Sequence, residues 1–170
     1  MRILISLTSL LLSVAVAASA PNKSAGPNSL SDEIIALERA ALNRWITADP
    51  QGYLDLYSSE ITYFDPLQEK RVDGLEAMKA LLAPLKNARS PITNRRFEMI
   101  VPKIQQHGDV VLLTFNLVNY GKLPNQATET VVTRWNSTEV YSRASGQWKI
   151  IHSHWSLVKP ELKQNKTTGE

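Results

Sequence analysis

The stretch Arg134–Leu157, R-W-N-S-T-E-V-Y-S-R-A-S-G-Q-W-K-I-I-H-S-H-W-S-L, decides the fold. A β-rich run ends at Val140 and Tyr141, Ala144-Ser145-Gly146-Gln147 supplies a turn in which glycine accommodates positive φ, and Trp148 opens a second run that reaches Leu157. The reading is a two-strand hairpin whose faces mix aromatic, ionisable and apolar side chains, and such mixed faces predict a pocket. Upstream, the mostly apolar run Val110–Tyr120 reads as another long strand. Consecutive strands of this kind build a sheet.

Working outward, strands are expected over Arg96–Val101, Lys103–His107, Asp109–Tyr120, Thr128–Tyr141 and Gln147–Leu157, separated by Gly108, Gly121–Asn125 and Gly146. Earlier residues read as helices. Ile34, Ile35, Leu37, Ala41, Leu42 and Trp45 recur at helical spacing after a candidate cap at Ser31 or Asp32, and Asp49-Pro50 marks the break near Ala48. Gly52–Tyr57 reads as a short helix and Glu60–Phe64 as a first strand that ends at Asp65-Pro66. Gly74–Leu85 reads as a third helix capped by Asp73 or Gly74. Helices first and a meander afterwards fit α+β packing, with the helices closing one concave face of a strongly curved antiparallel sheet.

Met1-Arg2 and the apolar run Ile3–Ala17, followed by Ala18 and Ala20, read as a secretory signal peptide over residues 1–20, cut after Ala17 or Ala18 because Pro21 disfavours cleavage at Ala20. An uncleaved membrane anchor is the alternative. With the leader removed, export to the periplasm or beyond and no stable membrane insertion are expected. Residues 21–30 read as a linker, 31–159 as one domain and 160–170 as a polar, frayed tail. The chain has a net charge of +3, one unit of which, Arg2, leaves with the leader; the basic residues are scattered among acidic ones, which argues against nucleic acid as a partner. There are no cysteines, so disulfides and thiolate metal sites are excluded.

Strand alternation puts Thr133, Trp135, Ser137, Glu139 and Tyr141 on one face. If Glu139 points into a cavity, desolvation raises its pKa and suits it to general acid or base chemistry; otherwise it is an exposed strand residue or pairs with Arg134 or Arg143. Asp65 is either a turn opener or, sharing parity with Tyr63, a carboxylate at the cavity mouth with the phenol as donor. Alternation groups His152 and His154 with Ile150 and Ser156, opposite Ile151, Ser153, Trp155 and Leu157. The two histidines are a pair buried across the sheet or at a subunit interface, proton-transfer groups, or two ligands of a metal site that lacks a third; no metal or other cofactor is expected. Asn116 lies on a largely apolar strand face and needs an interior partner, which is either a ligand or a bridging side chain. Asn136-Ser137-Thr138 matches a glycosylation acceptor inside a strand and reads as accidental.

Four segments are recognisable together: Y-F-D-P at Tyr63–Pro66, R-V-D-G at Arg71–Gly74, P-K-I-Q-Q-H-G-D at Pro102–Asp109, and S-G-Q-W-K-I-I-H-S-H-W-S at Ser145–Ser156. From about Ile34 to Leu157 the chain resembles the nuclear-transport-factor-2-like superfamily. It is most similar there to the association (hub) domain of calcium/calmodulin-dependent kinase II and its stand-alone bacterial relatives, grouped with SnoaL-like and DUF4440 proteins. The resemblance implies a cone-shaped α+β barrel with a deep cavity and self-association through the outer sheet face. It places Tyr53, Met78, Asn116, Glu139 and Trp155 on the cavity wall, and Tyr63 and Ser137 join them as ligand-facing candidates. The hub arginines expected at the positions of Asn116, Glu139 and Trp155 are missing, so the hub's carboxylate site is not carried over, and no kinase motif is present. Three functions follow as expectations. The first is an exported homo-oligomer that binds a small, mostly apolar molecule. The second is a cofactor-free isomerase, dehydratase or cyclase in which Glu139 or Asp65 takes a proton while Tyr63 or His154 assists, and the third is a purely structural oligomerisation domain.

Overall fold

The structure, a computed structural model, describes residues 29–159 apart from Ser145. The expected leader, most of the expected linker and the expected tail lie outside the described residues. None of the described helices is long and apolar enough to cross a membrane.

Helix α1 spans Leu30–Trp45. Its cap is Ser29, earlier than the Ser31 or Asp32 that the sequence suggests, because the Ser29 hydroxyl oxygen accepts the Asp32 backbone N–H at 3.1 Å while donating to the Asp32 carboxylate at 2.7 Å. Asp32 thus serves the third helical position, where a reciprocal bond to the cap is most useful. Helix α2 follows at Gln51–Leu56 and packs across α1. Gly52 makes that crossing possible: a Cβ there would lie 3.0 Å from Arg44 Cβ and 3.1 Å from Ala41 Cα.

The remaining elements are β1 (Tyr57–Phe64), β2 (Val72–Asp73), α3 (Leu75–Leu82, continued by a 3-10 turn at Ala83–Leu85), β3 (Thr93–His107), β4 (Val110–Lys122), β5 (Thr130–Ala144) and β6 (Gln147–Leu157). They form one curved sheet in the order β2-β1-β6-β5-β4-β3, with α3 packed on β1 and β2. The α+β cone is as expected, with two corrections. The sheet is open, with β2 and β3 at its edges, so helices rather than strand pairing cover its concave side. It is also not wholly antiparallel, because β1 runs parallel to β6. The long connection between them, which contains β2, α3 and the strands β3–β5, permits that parallel pairing.

Two bulges set which side chains face inward. The two strands expected on either side of Pro102 are one strand, β3, whose register shifts between Ile100 and Lys103 where Val101 adopts φ +47°. In β6 the register shifts between the partners of Val140 and Tyr141, which makes Ile151 an extra residue. Strict alternation therefore fails there. Ile150, expected beside the histidines, is fully buried together with Trp148, while Ser153 faces inward beyond the bulge. The core joins Ile34 and Leu42 of α1 to Ile61, Met78, Leu113 and Ile150, all exposed by 2% or less.

Gly52→Ala tests the helix crossing. Alanine favours a helix over glycine by about 1 kcal/mol, but the atoms it meets include α1 backbone that cannot yield. We expect a net loss of about 1 kcal/mol and a Tm lower by several degrees in thermal unfolding, the reverse of the propensity ranking.

Candidate functional site

Between the helices and the concave side of the sheet lies a cavity of about 400 Å³. Its wall is aromatic: Trp45 comes from α1, Tyr53 from α2, Tyr57 and Tyr63 from β1, Trp135 from β5 and Trp155 from β6. Trp155 is the hub of these rings. Its indole meets Tyr53, Phe115 and Trp135 edge to face, with centroids 6.5, 5.6 and 6.2 Å away, the arrangement ring quadrupoles favour. Leu42, Leu67, Leu81, Leu82, Leu85 and Leu117 complete the apolar surface.

Few polar groups interrupt it. Asp65 lines the cavity and fulfils both of its expected roles, accepting the Leu67 backbone N–H on Oδ1 at 2.6 Å and the Tyr63 hydroxyl on Oδ2 at 2.8 Å. Burial and the bond to Asp65 push the Tyr63 phenol far above its ordinary range, so it stays a neutral donor. Elsewhere on the wall, Thr133 Oγ1 accepts from Asn119 Nδ2 and from Trp135 Nε1, each at 2.9 Å. With both lone pairs engaged, the Thr133 hydroxyl proton has no acceptor among the described side chains and backbone groups.

Two carboxyl groups sit behind the wall, both completely buried. Glu38 accepts the Tyr53 hydroxyl at 2.7 Å and the Tyr141 hydroxyl at 2.5 Å. Glu139 Oε1 accepts from Ser137 at 3.1 Å and Ser153 at 2.9 Å, and its Oε2 is buried without a partner. Neither has a salt bridge among the described residues. Burial pushes the Glu38 carboxyl up to about 7, against the lowering effect of the Tyr141 and Tyr53 bonds. Burial, reinforced by the neighbouring Glu38, also raises Glu139 well above the carboxylate range. Each carboxyl braces a cavity ring: Glu38 holds Tyr53, and Glu139 holds Ser153, which accepts Trp155 Nε1 at 3.0 Å. Glu38 was missed in the sequence. The available signal was its position four residues after Ile34 and four before Leu42, on the apolar face of α1.

The expected site residues therefore divide. Tyr53, Tyr63, Asp65 and Trp155 line the cavity. Glu139, Ser137 and Met78 are buried on the inner side but do not line it. Asn116 and His154 are corrected: both are exposed on the opposite, convex face. Asn116 finds no interior partner because its strand parity is that of the outer residues. It pairs instead with Asn136, donating from Nδ2 to Oδ1 at 2.7 Å in a polar ladder that continues to Ser156. On the same face His152 Nδ1 meets Thr62 Oγ1 at 2.8 Å, and both histidines lie against Phe64. Partial burial, with His154 and Arg71 nearby, lowers the His152 pKa. The described residues contain no group of three or more side chains arranged to hold a metal ion.

The buried carboxyls make stability depend on pH with a definite sign. Glu38 keeps its proton in the folded state up to about pH 7 but loses it near 4.5 once unfolded, so folding is favoured at low pH and loses that contribution as pH rises through this window. Denaturant unfolding of the wild type should show stability falling by on the order of 3 kcal/mol across the window. Glu38→Gln should flatten most of that slope, and the slope left over combines the raised Glu139 with the lowered His152, which acts with the opposite sign.

Comparison with known proteins agrees with this architecture. A family model described as a SnoaL-like domain matches residues 34–160. A ketosteroid isomerase candidate from Parabacteroides distasonis is 36% identical, with a TM-score of 0.63 over 79% of this chain and 92% of that one. An NTF2-like protein of unknown function from Pseudomonas putida KT2440 is 24% identical, with a TM-score of 0.60 over 74% of this chain and 84% of that one. The S. rosetta CaMKII hub shares the fold at 20% identity, with a TM-score of 0.63 over 78% of this chain and all of the hub. A search of curated protein sequences returns no match. The aromatic cavity between helices and an open curved sheet, together with the family match over most of the chain, means that this protein belongs to the SnoaL-like domain family, within the NTF2-like fold.

Proposed function

We propose that the protein is an exported homo-oligomeric domain that binds a small, mostly apolar molecule in the aromatic cavity. The observation that carries this reading is the cavity: about 400 Å³, walled by six aromatic side chains and six leucines, with only a few polar groups. Pockets of roughly 300–1,000 Å³ with that chemistry are the usual sites of small ligands. Export rests on the leader-like first 20 residues. Self-association rests on the likeness to hub domains and on an outer sheet face that displays Phe64 and Ile100, each more than one-third exposed, beside the asparagine ladder. Native mass spectrometry of freshly purified protein tests both parts, and more than one subunit with retained small-molecule mass is the expected result. Leu81→Trp, which fills the cavity, should abolish ligand-induced thermal shifts from a panel of apolar ring compounds, whereas Asn116→Leu on the outer face should leave them unchanged. The reverse pattern would remove the cavity from consideration.

A second reading is favoured by one specific contact, the Tyr63–Asp65 hydrogen bond inside an apolar cavity. There Asp65 would remove a proton next to a carbonyl and return it to another carbon, while the uncommitted Thr133 hydroxyl proton steadies the enolate oxygen. Glu139, behind the wall and held neutral, would brace Trp155 rather than act as the base. The likeness to a ketosteroid isomerase candidate supports this chemistry by analogy. Asp65→Asn keeps the turn bond to Leu67 but cannot act as a base. Assayed by deuterium exchange into unsaturated ketones, kcat should fall by ~10²–10⁴ with little change in Tm.

A further inference from the structure

Residues 86–96, K-N-A-R-S-P-I-T-N-R-R, carry four basic side chains and no acidic one. They run from the end of the 3-10 turn into β3, and the fold lays them along the rim of the aromatic cavity. Two grooves flank that rim. One, of about 330 Å³, is lined by Arg89 and Arg95 and shares Trp45 and Leu85 with the cavity; the other, of about 130 Å³, is lined by Arg95 and Arg96 and shares Trp45, Asn119 and Thr133. The Trp45 indole therefore stands where the apolar interior meets both basic grooves. Neither groove has an acidic lining residue.

The three arginines differ in what they already hold. Arg96 is committed, bridging Glu98 and Glu129 and lying over the Tyr120 ring. Arg95, half-buried, and Arg89, exposed, have no carboxylate partner among the described residues. A half-buried arginine beside apolar walls offers a fork of five donors that suits a planar anion. The segment is also anchored. Asn87 N–H donates to the Ala48 carbonyl at 2.9 Å, Ile92 N–H donates to Ser90 Oγ at 3.1 Å, and the Ile92 side chain rests on Gly121 so closely that a Cβ there would lie 2.3 Å from Ile92 Cγ2.

We propose that Arg89 and Arg95 form an anion-accepting mouth to the aromatic cavity, so that its occupant is an amphipathic acid: an apolar body among the rings, past Trp45, and one carboxylate at the two guanidinium groups. This rests on the proposed cavity-binding reading and narrows its ligand class. It differs from an arginine site in the cone's interior, where this chain has Glu139 and Trp155.

A matched pair of probes separates the two ideas: 2-naphthylacetate and 2-(2-naphthyl)ethanol, which share the ring body and differ in the acidic group. By isothermal titration at low salt, the full chain should bind the acid at least about tenfold more tightly than the alcohol, the lower end of a charge-assisted hydrogen bond. Added salt should erode that preference. The Arg89→Ala/Arg95→Ala double variant, in exposed and half-buried positions outside the core, should bind both probes equally and the alcohol as the wild type does. Gly121→Ala, which must displace Ile92, should weaken the preference without altering the arginines. Equal binding of acid and alcohol by the wild type, or a preference that survives the double variant, overturns the assignment while leaving cavity binding intact. Failure of both probes to bind overturns both readings.

Discussion

The rest of the structure depends on a carboxyl group that has no cation. Glu38 of α1 receives the hydroxyls of Tyr53 from α2 and Tyr141 from β5, so one buried side chain joins two helices to the middle of the sheet. A charged carboxylate in that place would need a compensating cation, and none of the described residues supplies one, so burial favours the neutral form. The hydrogen bonds fix distances where apolar contacts alone would tolerate sliding. Because Tyr53 is also a cavity wall, the bond that secures the helices also sets the shape of the binding space.

A second tether repeats the pattern from the opposite side. Glu139 engages Ser137 and Ser153, and Ser153 holds the indole of Trp155, the ring that three other aromatic residues meet edge to face. The cavity is thus a layered object, with an apolar surface facing the ligand and a polar scaffold behind it. The two carboxyls are close enough for Glu38 to raise the proton affinity of Glu139. Placing ionisable groups one shell back lets the lining stay apolar while its rings remain oriented.

The sequence made much of this legible and obscured the rest for identifiable reasons. The β5–β6 hairpin follows from its turn, and alternation groups Glu139 with Thr133, Trp135 and Ser137 because β5 keeps a strict two-residue period there, although alternation alone leaves open which of the two faces is the inner one. The same logic misassigned Ile150, because the extra residue at Ile151 switches parity and no local composition announces the bulge. Asn116 misled for a different reason. It lies among Leu112, Thr114 and Val118, and an apolar outer face looks like a core face in a single chain. Glu38 was hidden by the habit of reading a helical glutamate as solvated, even though its neighbours at four-residue spacing are Ile34 and Leu42. The parallel pairing of β1 with β6 was beyond reach, because nothing in eight residues of β1 specifies a partner about 90 positions away.

That pairing bears on how the chain assembles. Within the sheet of the described residues, β6 is the strand that joins β1 to the β3–β5 meander. Helices and meander each gain local contacts early, but β1 and β5 cannot become parts of one sheet until β6 has been synthesised and threaded between them. Closing so long a loop is entropically costly and slow relative to forming hairpins. Until then the facing edges of β1 and β5 stay unpaired, so the nascent polypeptide carries two open, aggregation-prone strand edges while β6 is still being made.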